Sequence, residues 1–188
     1  MKSSAQATRL RRTLCSGAFA CAALLGRQAI AATQGELGAA STGSIAITVS
    51  VAKQAQISGL SDVTLAGVDP ASSATNAQSV CVWSNTATKG YSITASGSGQ
   101  EGSFALANGL MTAPYSVAWN SSSGQSSGAS LNAGAALTGL TSMATEPSCS
   151  SGPATTSSLI VTVGSADLQN MRAETIYSGV LSVVVSPQ

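Results

Sequence analysis

The most regular pattern in the chain is found in residues 44–51, SIAITVSV, where every second residue is apolar. Side chains alternate between the two faces of an extended chain, so this spacing places all the apolar groups on one face. These groups are Ile45, Ile47, Val49 and Val51. The period of two predicts a β-strand over residues 44–53, with one face suited to burial.

Shorter apolar alternations recur along the chain and are separated by clusters rich in Ser, Gly, Asn and Thr. No stretch combines helical periodicity with capping residues. Many short strands with turn signals between them favour an antiparallel sandwich or barrel, so the predicted fold class is all-β. The predicted strands cover residues 62–68, 79–83, 91–96, 102–107, 115–120, 158–163 and 177–186.

The first 31 residues have the three-part organisation of a secretory signal peptide. Basic residues come first, and a 12-residue apolar run follows over residues 14–25. This run is shorter than the roughly 20 residues that span a bilayer, so a membrane anchor is not predicted. Ala29-Ile30-Ala31 supplies the small-x-small pattern that precedes cleavage. We therefore expect a cut between Ala31 and Ala32, and an exported protein.

Cleavage would change the charge of the chain. Five of the eight basic residues lie in the signal segment and all seven acids lie outside it, so the net charge would change from +1 to −4. The remaining cations are Lys53, Lys89 and Arg172. Three scattered cations cannot neutralise a phosphate backbone, so nucleic-acid binding is not expected. No patch suited to an anionic membrane is visible either, and no membrane insertion is expected after cleavage.

Two cysteines, Cys81 and Cys149, would remain after cleavage, 68 positions apart. An even number of cysteines in an exported chain predicts one disulfide bond. Two free buried thiols are the alternative. A structural zinc site is not expected, because it takes four ligands and the chain has no histidine.

Two short segments match motifs of enzymes, but their contexts do not fit. Residues 97–102 spell G-x-G-x-x-G, which requires a helix after its last glycine, whereas residues 104–106 predict a strand. Residues 124–128 spell G-x-S-x-G, which requires a histidine base that the chain lacks. The acidic residues are scattered and give little support for a glycosidase pair. We therefore expect no enzymatic activity, no catalytic or metal-binding residues and no cofactor.

The larger aromatic residues could in principle form a platform for a sugar. They all lie in apolar alternations, so packing in the core is the favoured interpretation. These residues are Trp83, Tyr91, Tyr115, Trp119 and Tyr177.

Two interpretations of residues 44–53 have equal support from the residues alone. The segment would lie close to the new N-terminus, behind a flexible leader over residues 32–43. A tethered strand of this kind could add to an exposed sheet edge of a neighbouring subunit, with alternate side chains filling pockets. Alternatively, it is the first strand of a self-contained sandwich. A second strong strand, over residues 177–186, lies close to the end of the sequence.

Several of these segments together resemble pilins of chaperone–usher fimbriae. Residues 45–51 followed by residues 56–60 resemble the donor strand and first strand of alternate, colonisation-factor-type pilins. Residues 115–119 are similar to a strand in the middle of the same domain. Residues 177–183 resemble the C-terminal strand of pilins, including the spore coat protein U-like archaic group. The cysteine positions differ from those of the spore-coat group.

The resemblance implies an antiparallel, immunoglobulin-like β-sandwich over residues 54–188 that lacks one strand. A donor strand from the next subunit would complete it with Ile45, Ile47, Val49 and Val51. The acceptor groove would follow the final strand. The residues implied for that groove are Tyr177, Leu181, Val183 and Val185.

The resemblance also implies partners and a location. A periplasmic chaperone would fill the groove first, and identical or related subunits would replace it at an outer-membrane usher. The expected function is that of a structural subunit of a surface fimbria or coat, serving adhesion or biofilm formation. The protein would pass through the periplasm to the cell surface. The alternative is a self-contained secreted or periplasmic sandwich that binds a ligand such as a carbohydrate.

Overall fold

The structure, a computed structural model, describes residues 32–188. The predicted signal peptide, with Ala31 before the predicted cut, lies outside the described residues, whereas Ala32 is described and exposed. The chain divides into two units at Ser50 and Val51. The described part of the first unit is residues 32–50, and the second unit is residues 51–188.

The second unit consists mainly of short antiparallel strands. A 3-10 turn lies at Gln100–Gly102, and one short helix, α1, lies at Ser165–Asn170. The strands are β1 (Ala55–Ser58), β2 (Ala74–Ser84), β3 (Gly90–Gly97), β4 (Ala105–Asn108), β5 (Met111–Pro114), β6 (Ser116–Asn120), β7 (Ala129–Ser130), β8 (Ala136–Thr141), β9 (Ser157–Val163) and β10 (Leu181–Pro187).

Two sheets share one apolar core. The larger sheet has the strand order β1-β2-β9-β6-β7, and the smaller has the order β10-β3-β8. Strands β4 and β5 form a separate hairpin. The core combines Val80 and Val117 of the larger sheet with Ile93 and Ala95 of the smaller one. The predicted all-β antiparallel sandwich is therefore confirmed.

A buried polar contact joins the two sheets at the centre of this core. Trp119 of β6 donates its indole N–H to the hydroxyl of Tyr91 of β3 at 3.1 Å. That hydroxyl also shares a hydrogen bond with Ser157 of β9, again at 3.1 Å. The Tyr91 and Trp119 rings meet edge to face, with centroids 6.5 Å apart. The polar atoms of these buried groups thus have partners, as burial in a low-dielectric core demands.

The predicted disulfide between Cys81 and Cys149 is present, with a Cα–Cα distance of 6.0 Å. It ties β2 to the loop between β8 and β9. Both sulfurs are buried, and Ala144 and Trp83 pack beside them. The bond therefore anchors a serine-rich loop that has few apolar side chains of its own.

Some predicted strands differ from those observed. Residues 62–68 form no strand; just before them, the Gln78 side chain bonds to the backbone N–H of Ser61 at 2.9 Å in place of a ladder contact. Strand β8 was not predicted, because its inward residues, Leu137 and Leu140, are three positions apart. The register shifts opposite them, between Tyr91 and Ile93, so an alternation of two does not describe this strand.

Helix α1 also escaped prediction, because its six residues are too few to show a helical period. Its buried residue is Leu168. Across residues 32–188, no helix has the length and apolar character needed to cross a membrane.

Loss of the disulfide is expected to destabilise the fold. Removing a native disulfide from a small domain typically costs about 2–5 kcal/mol. The double variant Cys81→Ser/Cys149→Ser should therefore unfold at lower denaturant concentration than the wild type. Dithiothreitol should shift the wild type towards the variant and leave the variant unchanged. Equal unfolding midpoints for the wild type and the variant would contradict the expectation.

The buried tyrosine at the sheet interface is expected to make stability depend on alkaline pH. Burial raises the pKa of Tyr91, and hydrogen bonds with Ser157 and Trp119 partly oppose this rise. The folded state thus holds the phenolic proton more tightly than the unfolded chain. The resulting stability is complete below about pH 10, the ordinary tyrosine value, and is lost as pH rises through the folded pKa.

Tyr91→Phe should therefore reduce the loss of unfolding free energy above pH 10. Some loss should remain, because burial also raises the pKa of Tyr115. At pH 7 the variant should be about 1–3 kcal/mol less stable, because the buried Trp119 and Ser157 groups lose a partner. Chemical denaturation across a pH series measures both effects. A variant with the wild-type alkaline slope would argue against this role of Tyr91.

Candidate functional site

The arm, defined here as residues 44–53, exposes its apolar face. Its four alternating apolar residues are between 74% and 84% exposed, which is unusual for such a regular apolar row. They are Ile45, Ile47, Val49 and Val51. Soluble domains bury such rows, so the arm has the pattern of a strand whose covering partner is absent.

The predicted strand over residues 44–53 is not formed in the single chain. Ser44 makes an isolated bridge with Thr33, and residues 45–53 belong to no strand. The physical reason is that a ladder needs a partner, and among the described residues no second strand pairs with the arm. Backbone hydrogen bonds of 2.9 and 3.0 Å between Thr33 and Ser44 close the predicted leader, residues 32–43, into a loop.

Strand β10 forms one edge of the smaller sheet. Its seven residues pair with β3, from Leu181 opposite Gly97 to Pro187 opposite Tyr91. In the described part of the chain, no strand pairs with its other side. Alternate N–H and C=O groups of an edge strand point away from its single partner and are free to bind another strand.

The inward side chains of β10 are only half-buried. Leu181, Val183 and Val185 pack against the core, yet none is among the fully buried residues. By contrast, Val80 and Ile93 on strands that have neighbours on both sides are 0% exposed. The inner row of β10 is therefore incompletely covered.

Strand β1 forms the facing edge of the larger sheet. It pairs with β2 alone, and its Ile57 is partly buried against the core. Strands β1 and β10 lie beside each other without pairing. No backbone ladder closes the sandwich between these two edge strands, and we call the open seam between them the groove. Its apolar lining is Ile57, Leu181, Val183 and Val185.

The prediction that Tyr177 belongs to the groove strand is wrong. The final strand begins at Leu181, four residues later. Ser178 instead bridges to Ala107 of β4, which directs the preceding chain towards the β4–β5 hairpin. There the Tyr177 hydroxyl donates to the Met111 sulfur at 3.9 Å and accepts from the Arg172 N–H at 3.4 Å. Tyr177 thus contacts the hairpin region and is not part of β10.

The two enzyme-like motifs lie in loops, as expected. Residues 97–102 form the end of β3 and a 3-10 turn, and β4 follows where a dinucleotide site needs a helix. Gly97 is required there for space, because a Cβ atom would lie 2.2 Å from the Ser103 carbonyl oxygen. Residues 124–128 follow β6 in an open loop. Within residues 32–188, no group of three or more metal-ligating side chains is assembled.

The predicted burial of the five aromatic residues is confirmed for three of them. Tyr91 and Trp119 are at most 1% exposed, and Tyr115 is 9% exposed. Trp83 is half-buried beside the disulfide. These rings therefore contribute to packing and do not form an exposed platform.

Sequence reasoning missed Asn85, which bonds to the base of the arm, defined here as residues 52–54. The Asn85 side chain accepts a hydrogen bond from the Gln54 N–H at 2.7 Å and donates one to the Ala52 carbonyl oxygen at 2.8 Å. The Asn85 backbone N–H also donates to the Gln54 carbonyl oxygen at 3.1 Å. Asn85 and Gln54 are 31 positions apart, so no local sequence signal could have found this contact.

The chain matches no protein-family model, and no curated protein matches it significantly.

The open edge is expected to show in hydrogen exchange. In the monomeric protein, alternate backbone amides of β10 should exchange with solvent much faster than those of β3, which lies between two strands. Hydrogen–deuterium exchange read by NMR would separate the two classes. Equal protection along β10 and β3 would show that the edge of β10 is already covered.

Proposed function

We propose that this protein is a structural subunit of a bacterial surface fimbria or coat, assembled by donor-strand complementation and serving adhesion or biofilm formation. The observation that carries the proposal is the exposed apolar row of the arm. The half-covered edge strand β10 supports it. One chain then carries both a strand-like segment that has no partner and a sheet edge that has no neighbouring strand.

The arm and the groove are chemically suited to each other. Backbone groups of a donor strand would complete the ladder of β10, and its apolar side chains would cover Leu181, Val183 and Val185. Burial of the four arm side chains would contribute about 6–12 kcal/mol before the cost of ordering the segment. Each of them therefore matters to affinity, because the loss of one shifts the equilibrium by about tenfold or more.

The proposed partners follow from the same edge. An exposed apolar edge invites aggregation, so an exported subunit would need a temporary cover before assembly. A periplasmic chaperone would provide that cover, and an outer-membrane usher would then exchange it for the arm of an identical or related subunit. In this proposal the protein would pass through the periplasm and then reach the cell surface. A structural role of this kind requires no enzymatic activity and no cofactor.

The burial of Tyr91, Tyr115 and Trp119 removes most of the aromatic platform on which a carbohydrate-binding function would depend. No second function is therefore proposed.

Deleting residues 44–53 and adding them back as a peptide tests the proposal. The shortened protein should stay folded but melt at lower temperature, and a synthetic peptide of residues 44–53 should raise its Tm by filling the groove. A peptide with Ile47→Asp should fail, because a carboxylate would be desolvated on the buried face. A peptide with Thr48→Asp, altered on the opposite face, is the matched control and should still bind.

Two results would overturn the proposal. One is a shortened protein as stable as the intact one, with no response to the peptide and no multimers of the intact protein at any concentration. The other is a shortened protein that unfolds and is not restored by the peptide, because the arm would then be an ordinary strand of its own domain.

A further inference from the structure

Asn85 is placed to decide which groove the arm can enter. We propose that its side chain commits the arm to a neighbouring subunit by preventing the chain from turning back into the groove of its own domain. This inference rests on the proposed function. Asn85 is a positioning residue in this scheme, because it acts on the base of the arm and does not line the groove.

Asn85 holds the base of the arm in line with β1. The carbonyl oxygen of Ala52 and both backbone groups of Gln54 bond to Asn85. In an extended chain, residues two positions apart present their polar groups to the same side. Residues 52–54 therefore extend the line of β1 in the N-terminal direction, before the ladder with β2 begins at Ala55.

The arm begins at the end of the sandwich where β10 stops. Ala55 at the start of β1 pairs with Ser84, and the Ser84 hydroxyl donates to the Gly90 carbonyl oxygen at 2.9 Å. The same carbonyl oxygen accepts the N–H of Gln188, directly after β10, at 3.0 Å. Val51, Lys53, Asn85 and Gln188 accordingly line one surface depression. Strands β1 and β10 thus run in opposite directions along the two sides of the groove.

This geometry separates insertion within one chain from insertion between chains. The arm is attached to its own domain by its carboxyl end, at the end of the groove where β10 stops. In its own groove it would therefore run parallel to β10. The arm of a neighbour has no such tether and is free to run antiparallel to β10, which is the slightly more stable pairing.

Insertion into its own groove would also break the contacts of Asn85. The chain would have to reverse within residues 52–54, next to the start of β1. Reversal would separate Ala52 and Gln54 from Asn85 and disrupt the three hydrogen bonds that hold them. Asn85 thereby stabilises the extended base, from which only a second copy of this chain can take up the arm.

Refolding the intact protein at a series of concentrations tests the inference. Wild-type protein should form multimers, with a Tm and a multimer fraction that rise with concentration. Asn85→Ala should raise the ratio of monomer to multimer by about tenfold at a given concentration, as expected for the loss of two side-chain hydrogen bonds. Its monomers should have a filled groove, so their Tm should not depend on concentration and they should not take up the arm peptide.

Two further variants make the test decisive. Asn108→Ala is the matched control, because Asn108 makes a comparable bond to the Ile176 carbonyl oxygen, at 2.7 Å, and should leave the ratio unchanged. Insertion of Gly-Gly-Ser after Lys53 keeps Asn85 and loosens the base, and it should favour filled monomers in the same way. If Asn85→Ala does not fold, the insertion variant decides.

Different results would overturn the role of Asn85 and the proposed function. If wild type forms multimers while Asn85→Ala and the insertion variant keep the wild-type ratio, the role of Asn85 is overturned and the proposed function stands. If Asn108→Ala shifts the ratio as much as Asn85→Ala, the effect is not specific and the role of Asn85 is also overturned. If wild type stays monomeric at every concentration and does not respond to the arm peptide, the proposed function fails and the inference fails with it.

Discussion

The contact between Tyr91, Trp119 and Ser157 holds the two sheets of the second unit together. It combines edge-to-face packing of two large rings with hydrogen bonds that satisfy their polar atoms inside the core. Loss of the Tyr91 hydroxyl would leave the buried Trp119 N–H and Ser157 hydroxyl without this partner, which costs more than the hydrogen bonds themselves contribute. The contact joins β3 of the smaller sheet to β6 and β9 of the larger one, and so fixes how the sheets face each other.

The open side lies where the smaller sheet ends at β10. Strand β3 lies at the centre of the smaller sheet, with β8 on one side and β10 on the other. Because no further described strand pairs with β10, its inner row packs against the core without being fully covered. The half-burial of Leu181, Val183 and Val185 is thus a consequence of topology. These residues are as apolar as the fully buried ones.

Much of the fold could be predicted from local pattern. Strands β3, β6 and β9 were expected within one residue of their observed bounds, and the disulfide was expected too, whereas only residues 79–83 of β2 were expected. Strand β8 and helix α1 were not expected, because a register shift hides the alternation of one and the other is too short to show a period. Residues 62–68 alternate like a strand but form none, and just before them the backbone N–H of Ser61 bonds to the Gln78 side chain.

The candidate site could likewise be predicted only in part from the sequence. The alternation of apolar residues alone predicted the arm and its four apolar residues, because the period of a strand can be seen in neighbouring sequence positions. It also picked out the core of β10, but it wrongly extended that strand to Tyr177, whose neighbours are set by the β4–β5 hairpin. Only the tertiary structure decided that the arm is exposed, that β10 is an edge, and that Asn85 holds the base of the arm. Each of these depends on which distant segments meet in the fold. An apolar residue gives the same sequence pattern whether or not a neighbouring strand covers it.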